Sequence, residues 1–478
     1  MELSDEEAQV VIERFQEFLR FETVSATGPS SGAYVKCAEF LRTELKAIQK
    51  TTGLENGKPD CSLLEEVHFL PEAPDHSPVV VAHWPGKDPS LPILLLNSHY
   101  DVVPADLDAW TVPPFGAVRS PDGKIYGRGT QDMKCVCMQY IEAIRKIHQG
   151  NPEWQPERDI YLTFVPDEEI GGAGMAAFLD SELYKNKMPG IALALDEGLA
   201  SETNVFDVFY GERLPWWVTV TATGPTGHGS RFIENTAVEQ LLEVSQKALA
   251  FRKGQRDLLQ MKHCENCTHA VVAKKKKSLG DVTSLNITTL QAGVQVGNTY
   301  AYNVVPSIAT CSFDIRISPK MPPQEIKDML DVWCQECSKD PEKGSSVTWT
   351  SVEFEAKMSH ATTNADRCVN PWYGAFCDAM EVMGCEVSPQ VFPAATDSRF
   401  LRALGIRALG FSPMRNTEIL LHEHDEYILE ENFLEGIGIY AGLIRFLGSK
   451  DKSIDDRGTT KRKPETIEAS HPDGTKKQ

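Results

Sequence analysis

Ile93-Leu94-Leu95-Leu96 runs directly into Asn97-Ser98-His99-Tyr100-Asp101, and the same change from aliphatic run to chemical side chains recurs twice. Ile160 to Val165 leads into Asp167-Glu168-Glu169 and then Gly171-Gly172. Ile191 to Leu195 leads into Asp196-Glu197-Gly198. A short continuous apolar run fits a strand buried on both faces, as in a parallel sheet flanked by helices. Open α/β sheets bind ligands beyond the carboxyl ends of their strands. One histidine and several carboxylates are thereby expected at a single sheet edge, a donor set that suits zinc or a related divalent metal.

The chain has 478 residues, room for more than one domain, and its 41% hydrophobic and 24% charged residues describe an ordinary globular protein. A net charge of −20 argues against nucleic acid as a partner, because phosphate binding needs a basic surface. No stretch approaches the length of a membrane span. The N-terminus Met1-Glu2-Leu3-Ser4-Asp5-Glu6-Glu7 is acidic and lacks the layout of a secretory signal. The expected location is cytoplasmic, and the 12 cysteines read as reduced thiols. Cys264 and Cys267 read as a loop pair, Cys334 and Cys337 as a helical pair.

Ser4 to Glu7 has capping-box spacing and opens a helix with Val11, Phe15, Phe18 and Leu19 on one face. Ala33 to Ile48 is a second amphipathic helix. Gly127-Arg128-Gly129-Thr130-Gln131-Asp132 precedes the helical stripe Met133, Val136, Tyr140, Ile144 and Ile147, which puts Asp132 at a helix start. From Gly211 to about residue 318 the pattern changes to alternation, as in Trp217-Val218-Thr219-Val220-Thr221-Ala222, the mark of half-buried antiparallel strands. The expected fold is α/β: a mostly parallel-sheet catalytic domain flanked by helices (1–210 and 319–448), interrupted by an inserted α+β lid or dimerisation domain (211–318). Within the insert, 253–280 reads as a polar loop, and 449–478 reads as a disordered charged tail. Ala408-Leu409-Gly410-Phe411 and Ile419-Leu420-Leu421 read as short strands.

Residues two apart on a strand point the same way, so His99 and Asp101 can work together, the imidazole on a metal and the carboxylate orienting it. Glu168 and Glu169 point apart in extended chain. Before a Gly-Gly turn they fit a division of labour, one binding metal and the other handling protons.

Ser98-His99-Tyr100-Asp101-Val102-Val103-Pro104, Gly127-Arg128-Gly129-Thr130-Gln131-Asp132-Met133-Lys134, Asp167 to Gly172, Asp196-Glu197-Gly198 and Leu421-His422-Glu423-His424-Asp425-Glu426 together resemble the di-zinc exopeptidase and amidohydrolase family. That family includes carboxypeptidases, succinyl-diaminopimelate desuccinylase and aminoacylases, and the resemblance runs from about residue 10 to 447. Glu212 to Trp217, Gly227 to Phe232, Ala301 to Pro306 and Pro393 to Arg399 look most like the aminoacylases within it. The resemblance implies two zinc ions per chain, one held by His99 and Glu197, the other by Glu169 and His422, with Asp132 bridging them. His422 is preferred to His424 because the family ligand stands four residues before the closing acid, here Glu426. Asp101 would support His99 and Glu168 would be the general base. His228 would be a second active-site histidine, often reaching across a homodimer. Asn303 and Arg399 would grip the substrate carboxylate, a task that suits guanidinium. Arg316, on an alternating strand, reads as solvated. The implied reaction is hydrolysis of N-acyl-L-amino acids, small-molecule substrates, to a carboxylate and a free amino acid. A dipeptidase or Gly-X carboxypeptidase of the same family is the alternative, and a catalytically silent binding protein is disfavoured because every metal position and Glu168 are present.

Overall fold

The computed structural model describes residues 4–51, 64–69, 77–260, 277–351 and 360–456. The strands used below are β1 (Leu64–Phe69), β2 (Pro78–Trp84), β3 (Ile93–His99), β4 (Ile160–Val165), β5 (Ile191–Asp196), β6 (Phe206–Glu212), β7 (Leu214–Thr223), β8 (Ser284–Ala292), β9 (Ile308–Ile317), β10 (Val347–Ser351), β11 (Val387–Phe392) and β12 (Ala408–Gly410). The helices are α1 (Asp5–Leu19), α2 (Ala33–Thr51), α3 (Lys134–Gly150), α4 (Ala237–Gln260), α5 (Pro323–Cys337), α6 (Pro371–Val382) and α7 (Glu430–Gly448).

The three apolar runs are neighbouring strands of one eight-stranded sheet, ordered β1-β2-β4-β3-β5-β12-β6-β11. Pairing is parallel between β3 and β4, β3 and β5, β5 and β12, and β6 and β11. It is antiparallel at β1-β2, β2-β4 and the single β12-β6 bridge. Every residue of β3, β4 and β5 is buried. The reason is visible along β3. Leu94 and Leu96 join the cluster built with α1, α2, α3, α6 and α7, while Ile93 and Leu95 join another with Met175 and Phe178. A strand covered on both faces reads as a near-continuous apolar run. α1 begins with the expected box: Ser4 Oγ accepts the Glu7 N–H at 3.3 Å and the Glu7 carboxylate accepts the Ser4 N–H at 2.9 Å.

The alternating segment forms a separate antiparallel sheet, β8-β9-β7-β10, with its own core against α4 and α5. Along β7, Trp216, Val218, Val220 and Ala222 are buried while Trp217 is exposed. This unit outruns the expected boundary at 318. Val347 of β10 pairs with Ala222 of β7, and Ile326, Leu330 and Trp333 of α5 pack into the same core.

Three further expectations change. The polar segment from residue 253 is helical as far as Gln260, and 261–276, with Cys264 and Cys267, lies outside the described residues. Cys334 and Cys337 are the helical pair expected, both buried on α5. Residues 449–456 are not a loose tail: Ile454 is buried, and Arg158 donates to the carbonyls of Lys450 and Asp451 and pairs with Asp455. Ile419-Leu420-Leu421 is loop, not strand, and the strand near it is Tyr427–Leu429. Among the described residues no helix is long and apolar enough to cross a membrane.

Candidate metal centre and active site

His99 ends β3, Glu168 and Glu169 follow β4, and Glu197 follows β5, so three adjacent parallel strands deliver them to one edge. Asp132 arrives from the loop before α3, and His422 from the loop after β12. Two ligand-like groups result: His99, Asp132 and Glu197, then Asp132, Glu169 and His422, each with its donor atoms within 4.8 Å of one another. Asp132 belongs to both. Its Oδ1 lies 3.1 Å from His99 Nε2, and its Oδ2 lies 3.2 Å from His422 Nε2. Glu197 Oε2 stands 3.4 Å from His99 Nε2, and Glu169 Oε2 stands 3.1 Å from His422 Nε2.

His99 is held through Nδ1, 3.0 Å from the backbone carbonyl of Asp101. If Nδ1 carries the proton for that bond, the Nε2 lone pair is left facing carboxylates. The Asp101 carboxylate is farther from the ring, at 3.4 Å, and its main engagement is elsewhere: it accepts the N–H groups of Glu168 and Glu169 at 3.2 and 3.3 Å. Asp101 therefore orients His99 with its main chain and pins the Glu168-Glu169 turn with its side chain. That turn needs Gly172, whose φ is +77° and whose added Cβ would sit 2.4 Å from the Phe400 ring.

So much buried acid shifts protonation. Burial, reinforced by Asp132, pushes Glu169 up to about 7 and raises Glu197. Burial and then Glu197 raise Glu168 well above the usual carboxylate range. Hydrogen bonds to Asp132 and Glu169 lift His422 to about 10. Asp132 goes the other way: burial opposes its charge, and the bonds from His422 and His99 outweigh burial and lower its pKa. Glu169 Oε1 is buried with no hydrogen-bond partner. An orphaned carboxylate oxygen among imidazoles and acids of this kind fits divalent cations bound by nitrogen and oxygen.

The loops carrying Asp132 and His422 are clasped together. Glu426, fully buried, accepts the backbone N–H groups of Gly129, Gln131 and Asp132 and pairs with Arg128 at 2.9 Å. Arg128 also donates to the Glu423 carbonyl at 3.1 Å. Gln131 fastens the other side through the carbonyls of Glu418 and Tyr427 and the Leu420 N–H. His422 itself sits at φ 62°, a left-handed conformation that costs a non-glycine residue about 1–3 kcal/mol. The clasp holds that loop in place. His424 is exposed beside it.

Glu168 belongs to neither ligand group. It is buried, and Arg399 Nη1 lies 3.6 Å from its Oε1. His228 and Asn303 are placed together but elsewhere, where Gly227–His228 pairs with Val304–Val305 beyond the ends of β7 and β9, and both are exposed. His228 pairs with Val304, its Nδ1 lies 2.8 Å from Ser230 Oγ, and the Gly229 N–H donates to the Asn303 carbonyl at 2.7 Å. The contacts of the carboxylate–imidazole cluster do not include them. Arg316 is half-buried and pairs with Asp314. Behind the cluster, Asp196 accepts Asn97 Nδ2 at 2.9 Å and Ser398 Oγ at 2.7 Å. Asp397 is buried beside it, raised to about 7 by burial and then by Asp196. Sequence reasoning gave neither acid a role, although Asp397 and Ser398 sit in a quoted motif.

The sequence profile of peptidase family M20/M25/M40 matches residues 95–445. An aminoacylase-1 of Dictyostelium discoideum is 45% identical over 372 residues, covering 77% of this chain and 85% of the relative. A human aminoacylase-1 is 40% identical over 445 residues, covering 93% and 97%. Among solved structures, an M20-family metallo-carboxypeptidase of Sulfolobus solfataricus superposes with a TM-score of 0.60 at 20% identity, covering 93% of this chain and 100% of that one. Human carnosine dipeptidase 1 gives 0.59 at 16%, covering 93% and 97%, and at these identities both show the shared fold. The chain belongs to peptidase family M20/M25/M40 and is a hydrolase.

Proposed function

We propose that the protein is an aminoacylase, hydrolysing N-acyl-L-amino acids to a carboxylate and a free L-amino acid with two zinc ions per chain. The observation that carries this reading is the pair of ligand groups sharing Asp132, set beside a buried carboxylate that belongs to neither. Identity of 40–45% to aminoacylase-1 proteins over most of the chain selects the substrate class.

His99, Glu197 and Asp132 would hold one ion, and Asp132, Glu169 and His422 the other. Zinc bound there supplies Lewis acidity, polarising the acyl carbonyl and making water a better nucleophile. Glu168 takes the proton of the attacking water and returns it to the leaving amine nitrogen. Arg399, 3.6 Å from Glu168, pairs with the substrate carboxylate and fixes the scissile amide beside the base. Asn303 contributes to that grip, and His228 donates to the oxyanion, a role worth about 3–4 kcal/mol in the transition state. Because both are exposed and lie outside the carboxylate–imidazole cluster, they serve a site completed by a second copy in a homodimer.

The test is a substrate panel on the zinc-loaded protein. N-acetyl-methionine turns over efficiently, while unblocked and Gly-terminated dipeptides are poor substrates. Preference for the dipeptides would replace this reading with a peptidase.

A further inference from the structure

Among the described residues, Arg128, Arg145, Arg158, Arg213 and Arg402 are the buried arginines. Arg128 pairs with Glu426, Arg145 with Glu44 and Glu142, Arg158 with Asp455, and Arg402 with Glu212. Arg213, only 6% exposed, has no such partner. Its Nε donates to the Pro393 carbonyl at 2.7 Å and its Nη1 to Ser284 Oγ at 3.0 Å, both neutral acceptors. The carboxylate that bears on it, Asp314, is engaged by Arg316 through bonds of 2.7 and 2.9 Å. Burial, with Arg316 adding repulsion, pushes the Arg213 guanidinium down to about 10. A buried charge without a counter-ion is costly and calls for an anion.

Arg213 lines a cleft of about 300 Å³ between the end of α4 and the start of β8. Arg252 and Arg256 line the same cleft, and among the described residues no Asp or Glu does. Both are exposed; Arg252 Nε is bonded to Asn286 Oδ1 at 3.1 Å. Basic residues near a helix C-terminus also offset the helix dipole, which accounts for Arg252 and Arg256 but not for the buried Arg213. The accessible apolar walls are Leu259, half-buried, and Leu279, exposed. A compact hydrated anion would leave those walls wet, so they select a ligand with an apolar body.

We propose that this cleft is a second binding site, for an organic monocarboxylate with a short aliphatic body. The head is taken by Arg213, Arg252 and Arg256, and the body lies on Leu259 and Leu279. No residue of the metal centre lines it. It sits where the chain passes from β6 into β7, at the crossing between the two sheets.

Calorimetry on the full-length, zinc-loaded protein tests this with hexanoate, acetate, hexanol and inorganic phosphate. Hexanoate binds at least about tenfold tighter than the other three, since head and body must both be present. The R252A/R256A variant loses at least about tenfold in hexanoate affinity, and the single R256E variant, altered at an exposed side chain, weakens binding likewise. Hydrolysis of N-acetyl-methionine without hexanoate is unchanged in both. Hexanoate affinity that survives these substitutions would locate the binding at the metal centre and overturn the proposal. Absence of binding, or phosphate binding as tightly as hexanoate, would overturn it too.

Discussion

Glu426 Oε1 accepts the backbone N–H of Asp132 at 3.3 Å, joining residues 294 apart in sequence. Through that bond and its companions at Gly129 and Gln131, one buried carboxylate sets where the shared ligand stands relative to the loop of His422. Outer groups that orient ligands are typically worth 10–100-fold in metal affinity. Glu426→Gln is therefore expected to weaken zinc binding by about 10–100-fold in competition with a chromophoric chelator, with the circular dichroism spectrum retained. Affinity equal to the parent's would mean that the Gln131 contacts alone position the loop.

Glu168 lies outside both ligand groups, so Glu168→Gln separates chemistry from metal binding. Turnover of N-acetyl-methionine should fall by about 10²–10⁴-fold while metal content stays at the parent level. Retained turnover would remove Glu168 from its role as base.

Protons and cations compete for the same atoms. In the ion-free protein burial raises Glu197, Glu169 titrates at about 7, and His422, raised to about 10, is an imidazolium at pH 7. A cation needs the deprotonated forms, so binding releases protons and affinity rises with pH through the 7 to 10 range. Calorimetry in buffers of different ionisation enthalpy reads this directly. Net proton uptake, or no buffer dependence, would contradict the arrangement.

Glu212 and Arg402 form a buried pair at 3.0 Å between β6 and the helix Ser398–Ala403, which also carries Arg399. Arg402→Met strands the Glu212 carboxylate, and we expect unfolding free energy to drop by roughly 3–5 kcal/mol in urea titrations. A loss under ~1 kcal/mol would show that Glu212 is satisfied by the Thr396 N–H alone.

Much of the centre is legible because the strands that bring its residues together carry near-continuous apolar runs, and such runs end close to where the ligands begin. His99, Glu169 and Glu197 could be placed that way. Asp132 and His422 rested on motif resemblance, since loops carry no periodicity. The work of Glu426 is not legible: a glutamate that acts by accepting distant main-chain N–H groups has no spacing signature. Asp101 shows the same limit, because its two-residue offset from His99 suggested a side-chain contact and its carbonyl makes the closer one. The displaced boundary at 318 has a similar origin. β10 is amphipathic, and only tertiary contacts assign its apolar face to the second sheet.

The central claim is that Asp132 serves two cation sites at once. Metal analysis by mass spectrometry on purified protein, parent and Asp132→Asn side by side, tests it most directly. The account predicts about two zinc ions per parent chain and a loss from both sites in the variant. A parent chain that binds no zinc, or a variant that keeps its full complement, would contradict it.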